Sequence, residues 1–181
     1  MTDISTLGEF GLIDRMTEGL ELRNASTLRG VGDDCAVLQY SSEAADPRRL
    51  LVTTDMLMEG IHFDLTYTPL KHLGYKAAMV NLSDVYAMNG TPRQLLVSIA
   101  VGRRFKVEHL DELYAGIRLA CERHGVDIVG GDTTTSLTGL AISRGDCLSF
   151  GSKRYRPHLR ERQLGCCLYG ATTHGTREAN L

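Results

Sequence analysis

Several aspartates stand beside small or hydroxyl-bearing residues, at the edges of predicted helices and strands. They are Asp33, Asp34, Asp55, Asp84 and Asp132. Mg²⁺ prefers carboxylate, hydroxyl and water oxygens, and its coordination is usually completed by substrate phosphates. Glycine beside a carboxylate lets the backbone approach a polyphosphate and present N–H groups to it. Any one of these motifs alone is also ordinary turn chemistry, so the case for a metal site depends on how the aspartates are placed in the fold.

The placement of Asp84 favours metal binding over turn chemistry. After Pro69, apolar residues recur at steps of three and four, which predicts a helix that ends near residue 89. At about 100° per residue, Asp84 falls on the same stripe as Leu73 and Ala77. It also lies in the last turn, where the helix dipole disfavours an anion. A buried carboxylate in that position costs several kcal/mol unless a cation or hydrogen-bond donors satisfy it.

The elements that would position these side chains form an α+β pattern. Helices are predicted over residues 9–18, 69–89 and 107–124, and strands over 35–40, 50–54, 94–102, 126–129 and 138–143. This order predicts a mixed β-sheet with helices packed on one face. Gly125 is predicted to end the third helix.

Composition narrows the class of protein. The chain has 181 residues, 43% of them hydrophobic, and a net charge of −2, which predicts one core and no positive field to attract nucleic acid or a membrane surface. No apolar run has signal-peptide or membrane-spanning character, so a cytoplasmic protein is predicted. The five cysteines lack metal-binding spacing and are interpreted as reduced thiols. P-loop, Rossmann and protein-kinase signatures do not occur in the sequence.

Two other polar residues have a functional and a structural interpretation. His62 could contact a substrate, but a histidine in a loop is often an ordinary surface residue. Tyr114 could stack on a nucleotide base, but it lies on an amphipathic helix, where tyrosine is more often part of the core.

Five motifs in register resemble those of thiamine-monophosphate kinases, over about residues 8–143. They are GEFGLI at 8–13, VGDDCA at 31–36, TTDMLMEGIHF at 53–63, KAAMVNLSD at 76–84 and GGDTT at 130–134. More distant relatives of the same superfamily include aminoimidazole ribonucleotide synthetase, selenophosphate synthetase and a hydrogenase maturation factor. They share the acidic ATP site, whereas the first and third motifs resemble the thiamine branch.

The resemblance implies transfer of the γ-phosphoryl group of ATP to thiamine monophosphate, with magnesium as the cofactor. It also implies a fold like the amino-terminal domain of aminoimidazole ribonucleotide synthetase, and a homodimer whose sheets join into a barrel. By motif, the implied metal ligands are Asp34, Thr53, Thr54, Asp55, Asp84 and Asp132. The implied ATP contacts are Gly131, Asp132 and Tyr114, and His62 is implied to face thiamine monophosphate. No catalytic side chain is predicted, because the phosphate acceptor is already largely dianionic at neutral pH.

The sequence changes character after Ser143. Residues 144–181 are more basic than acidic, contain three of the five cysteines, and show neither strand nor helix periodicity. We therefore predict a magnesium- and ATP-binding domain over 1–143, an atypical, truncated or frameshifted tail over 144–181, and no C-terminal domain of the family. Three functions remain open: a thiamine-monophosphate kinase, another ATP-dependent enzyme of the superfamily, or a non-catalytic chain that dimerises and binds nucleotide.

Overall fold

The computed structural model describes residues 6–41, 48–145 and 149–151. Within them the chain forms three helices and nine strands. The helices are α1 (Gly8–Thr17), α2 (Leu70–Ala87) and α3 (Val107–His124). The strands are β1 (Thr27–Arg29), β2 (Ala36–Gln39), β3 (Arg49–Val52), β4 (Thr54–Met58), β5 (Gly90–Pro92), β6 (Gln94–Gly102), β7 (Asp127–Ser136), β8 (Ala141–Gly145) and β9 (Ser149–Gly151).

The strands divide between two sheets. One has the order β1-β2-β3-β9-β5 and the other β4-β8-β6-β7, and in the second sheet β6 and β7 run parallel while the other pairs are antiparallel. The predicted mixed α+β class is confirmed, but the sequence did not predict two sheets. Only Thr53 separates β3 from β4, so the chain passes from one sheet to the other at that residue.

Helices α2 and α3 contribute to the same core as the four-stranded sheet. Leu73, Ala77 and Leu82 from α2 lie in one buried cluster with Leu95 and Val97 from β6. The two helices approach each other at glycine. A Cβ on Gly74 would overlap the backbone carbonyl of Leu113, and one on Gly116 would overlap that of Lys71.

The predicted bounds of β6 and α3 are confirmed, and Gly125 ends α3 in the left-handed conformation with φ 65°. Strand β7 is longer than predicted. It continues through Gly130 and Gly131 because it pairs with β6 as far as Ser136. A Cβ on Gly131 would overlap the Val97 carbonyl, so glycine here permits close strand pairing.

The segment predicted as an atypical tail contributes backbone to the sheet. Strand β9 pairs with β3 on one side and β5 on the other, and residues 152–181 lie outside the described residues. The described strands of this single chain form two open sheets, so the dimeric barrel stays a prediction. None of the described helices combines the length and hydrophobicity needed to cross a membrane.

Candidate magnesium and phosphate site

Three elements bring polar oxygens together where the chain changes sheets. Thr53 lies between β3 and β4, Asp55 is on β4, and Asp84 is in the last turn of α2. The Thr53 hydroxyl donates a hydrogen bond to Asp84 Oδ2 at 3.0 Å, and the carboxyl groups of Asp55 and Asp84 lie close enough for each to affect the pKa of the other. Asp84 is half-buried, as expected from its place on the apolar stripe.

Burial and the neighbouring carboxylates disfavour ionisation of Asp84. Burial, followed by the charges of Asp55 and Asp34, raises the pKa of Asp84 to about 7, although the Thr53 hydrogen bond opposes the shift. Burial also raises the pKa of Asp55, against the effects of Asp84 and His62. The pair therefore retains a proton near neutral pH unless a cation balances its charge.

The donor set fits a hard cation. Thr53, Asp55 and Asp84 offer only oxygen, which suits Mg²⁺. Across the described residues, no group of three or more histidine, cysteine, aspartate or glutamate side chains could hold a metal ion. Magnesium is commonly bound by one or two carboxylates together with waters and substrate phosphates. The residues present therefore fit a magnesium ion bound jointly with a phosphate better than an all-protein metal cage.

The raised pKa of Asp84 predicts how stability depends on pH without magnesium. Folded Asp84, with a pKa of about 7, holds its proton at pH values where the unfolded group, near 3.8, has lost it. The folded state therefore binds more protons in this window, so its free energy of unfolding should fall as the pH rises from about 4 and should level off once the pH passes about 7. Urea unfolding at about pH 5 and about pH 8 measures this fall. Magnesium should reduce it, because a bound cation favours ionised carboxylates.

Asp84→Asn is the control for the pH experiment, because it keeps the shape of the side chain and removes its titration. The variant should lose less stability than the wild type between the two pH values. An equal loss in both proteins would show that Asp84 does not titrate as described.

The loop before β2 carries two aspartates that have different surroundings. Asp33 accepts a hydrogen bond from the backbone N–H of Asp34 at 3.1 Å and forms an ion pair with Arg29 at 3.1 Å. These contacts shape the turn. Asp34 is exposed and lies near enough to raise the pKa of Asp84.

The turn after β4 orients His62. The Met58 backbone N–H donates to His62 Nδ1 at 3.0 Å, and the Lys76 ammonium donates to the His62 carbonyl at 3.0 Å. Because Nδ1 accepts a hydrogen bond, the neutral ring carries its proton on Nε2. His62 is exposed and lowers the pKa of Asp55. It therefore combines proximity to the carboxylates with a nitrogen that can donate to an anion.

Glu59 has a role that the sequence did not predict. Its carboxylate accepts hydrogen bonds from Arg104 and from the backbone N–H of Leu140, the latter at 2.9 Å. Its own backbone N–H donates to the Leu140 carbonyl at 3.0 Å. Glu59 thus ties the His62 turn to the segments after β6 and before β8. Its position inside the third motif was the only sequence signal.

The structure does not bring every predicted site residue to this cluster. Gly131 and Asp132 are on edge strand β7, with β8 and β6 between them and β4. Asp132 pairs with Ser98, whose neighbours Val97 and Ile99 face the core, so Asp132 lies on the opposite face of the sheet. It is also exposed. The metal and ATP roles of this pair stay predictions.

Tyr114 also lies apart from the grouped oxygens. Tyr114 packs against the core beside Leu113, which meets α2 at Gly74. That point is about 15 Å along the helix from Asp84, at about 1.5 Å per residue. Thr54 is next to the cluster in sequence but is exposed. Their assigned roles also stay predictions.

Comparisons with known proteins identify the family. Residues 32–145 match the family model described as AIR synthase related protein, N-terminal domain, and the chain belongs to this family. Among curated proteins it is similar to thiamine-monophosphate kinases. The one from Aquifex aeolicus (strain VF5) is 38% identical over 133 residues, covering 74% of this chain and 40% of that protein. The one from Bacillus subtilis (strain 168) is 31% identical over 137 residues, covering 76% and 41%.

Solved structures agree with the sequence comparison. The structure described as AaThiL complexed with AMPPCP and TMP has a TM-score of 0.72 and 34% identity, and the match covers 86% of this chain and 45% of that one. Thiamine-monophosphate kinase from Stenotrophomonas maltophilia K279a has a TM-score of 0.55 and 30% identity, covering 82% and 44%. The predicted resemblance is confirmed. The chain spans less than half the length of these relatives.

Proposed function

We propose that this chain is the magnesium- and ATP-binding part of a thiamine-monophosphate kinase, which converts thiamine monophosphate to thiamine diphosphate. The observation that carries the proposal is the convergence of Thr53, Asp55 and Asp84 at the crossing between the sheets. Support comes from relatives named thiamine-monophosphate kinase and from the similar structure complexed with AMPPCP and TMP.

Phosphoryl transfer to thiamine monophosphate depends more on the positioning of charges than on proton transfer by the protein. The second pKa of a phosphate monoester is about 6, so the acceptor needs no general base at neutral pH. The obstacle is repulsion between two anionic substrates. Bound magnesium would neutralise phosphate charge. Asp55 and Asp84 would hold the ion, and Thr53 Oγ1 keeps the Asp84 carboxylate oriented.

His62 is proposed to contact the phosphate of thiamine monophosphate. Its Nδ1 is occupied by the Met58 N–H, so Nε2–H is the group available to an anionic oxygen. The Lys76 contact and the Glu59 contacts restrain the two sides of this turn. Restraint of this kind matters because misplaced reactants lose much of the rate gained by orientation.

We further propose that the protein is a cytoplasmic homodimer with no nucleic-acid or membrane partner. Strand β7 is an edge strand of its sheet, and its side chains Ile128 and Val129 are 37% and 53% exposed. A long edge strand with exposed apolar residues is normally covered. Pairing of two copies would cover it symmetrically.

Two measurements test the proposed function. A non-hydrolysable ATP analogue should bind the chain only when magnesium is present. In an ATP consumption assay, thiamine monophosphate should be the preferred acceptor over aminoimidazole precursors and selenide, and thiamine diphosphate should be the product. Absence of nucleotide binding would overturn the proposal, and preference for another acceptor would move the chain to another branch of the superfamily.

Histidine variants make the assay specific for the site. His62→Ala should weaken binding of thiamine monophosphate and leave nucleotide binding unchanged. His72→Ala is the matched control, because His72 is also exposed but lies on α2. If the two variants weakened binding of thiamine monophosphate equally, the proposed contact between His62 and its phosphate would be wrong.

A further inference from the structure

Asn81 is buried in a way that its immediate surroundings do not explain. Its side chain is fully buried on α2, between the apolar residues Ala78 and Leu82. Neither Oδ1 nor Nδ2 has a hydrogen-bond partner among the described residues. Each buried polar group left unsatisfied costs about 1–3 kcal/mol, so an apolar residue would be the better choice if this position served only packing.

The helix places Asn81 beside the carboxylate pair. Asn81 precedes Asp84 by three residues, which puts the two about 60° apart around α2 and about 4.5 Å apart along it. Helical side chains lean toward the N-terminus, so the Asp84 carboxylate leans toward the turn that holds Asn81. Asp84 is half-buried and reaches Thr53, while Asn81 is 0% exposed. Asn81 therefore lies on the inner side of the carboxylate cluster.

The Asn81 carboxamide adds a hydrogen-bond donor to a cluster of carboxylates. Asp55 and Asp84, when ionised, can only accept hydrogen bonds, whereas an amide both donates and accepts. Magnesium usually keeps several of its waters, and a buried water needs about two to four polar partners. A water between the ion and Asn81 could use the amide and a carboxylate oxygen at the same time.

We propose that Asn81 is a positioning residue of the magnesium site, which holds a metal-bound water through its carboxamide on the core side of Asp55 and Asp84. The inference rests on the proposed magnesium site and extends it to a residue that touches the ion only through water. The Asn81 amide would then have a hydrogen-bond partner when magnesium is bound. The free-energy cost of burying it without a partner would apply only to the metal-free protein.

The test compares Asn81→Leu with Leu82→Met in the complete chain. Loss of an outer-sphere partner typically weakens metal binding by about 10- to 100-fold, so calorimetric titration with magnesium in the presence of a non-hydrolysable ATP analogue should show such a loss for Asn81→Leu. Its melting temperature without magnesium should stay equal or rise, because the unsatisfied amide is gone. Leu82→Met, a volume-conserving change at a buried neighbour, should leave magnesium affinity unchanged.

The outcomes separate this inference from the proposed function. If Asp84→Asn loses magnesium and Asn81→Leu keeps it, only the role of Asn81 is overturned. If the wild-type chain binds no magnesium in the presence of the ATP analogue, both the role of Asn81 and the proposed magnesium site are overturned. Should Asn81→Leu fail to fold, Asn81→Ala serves instead, and the side-chain NH₂ resonances of Asn81 in the wild type provide a measurement that needs no variant. Those resonances should shift during the magnesium titration, and stationary resonances would overturn the role.

Discussion

Replacing Asp84 with asparagine should abolish magnesium-dependent nucleotide binding and leave the fold intact or more stable. The substitution keeps the shape of the side chain but removes a charge that sits beside Asp55 and near Asp34. A cation held by two carboxylates would lose one of them, and we expect its affinity to fall by more than about 100-fold, beyond the loss typical of an outer-sphere partner. Without magnesium, the same change relieves repulsion.

Calorimetry with magnesium and a non-hydrolysable ATP analogue measures the first effect, and urea unfolding measures the second. Asp111→Asn is the matched control, because this aspartate is exposed on α3 and should change neither quantity. Magnesium affinity that is the same in Asp84→Asn and in the wild type would remove the proposed site.

Replacing Gly116 with alanine should destabilise the domain by about 3 kcal/mol or more, a large part of the roughly 5–15 kcal/mol that holds a typical domain together. The new Cβ would overlap the backbone carbonyl of Lys71 on α2. Backbone atoms cannot rotate away as a side chain can, so the two helices would have to separate and open the core around Leu113 and Ile117.

Gly11→Ala is the control for the helix substitution. Gly11 lies within α1, where the nearest contact of an added Cβ would be the Leu7 Cβ at 3.4 Å. Removing glycine from a helix interior with room for a methyl group should stabilise the protein by up to about 1 kcal/mol. Thermal unfolding followed by circular dichroism compares the two variants. A melting temperature of Gly116→Ala at or above that of the wild type would contradict the close packing of α2 against α3.

Local sequence signals predicted the elements whose physics is local. Helix α3 has its apolar period and ends at Gly125, where the left-handed φ of 65° favours glycine over any other residue. Strand β6 has alternating burial, which a pattern of period two reports directly. The inward direction of Asp84 followed from the same helical geometry.

Features that depend on pairing between distant segments could not be predicted from the sequence. Strand β7 was predicted to stop before Gly130, because glycine usually interrupts a strand. In the fold these glycines allow close approach to β6. The contacts of Glu59 with Arg104 and Leu140 join segments that are far apart in sequence. The local sequence pattern does not predict them.

The sequence by itself therefore determined the α+β class, the family resemblance and the oxygen-rich chemistry of the aspartates, because composition, periodicity and motif spacing are properties of short segments. Only the tertiary structure decided which of those aspartates meet. The crossing at Thr53 and the last turn of α2 bring Asp55 and Asp84 together, while strand order and register put Asp132 on the other face of the sheet. Sheet order and register are set by burial summed over many residues, so they can be seen only once the chain is folded.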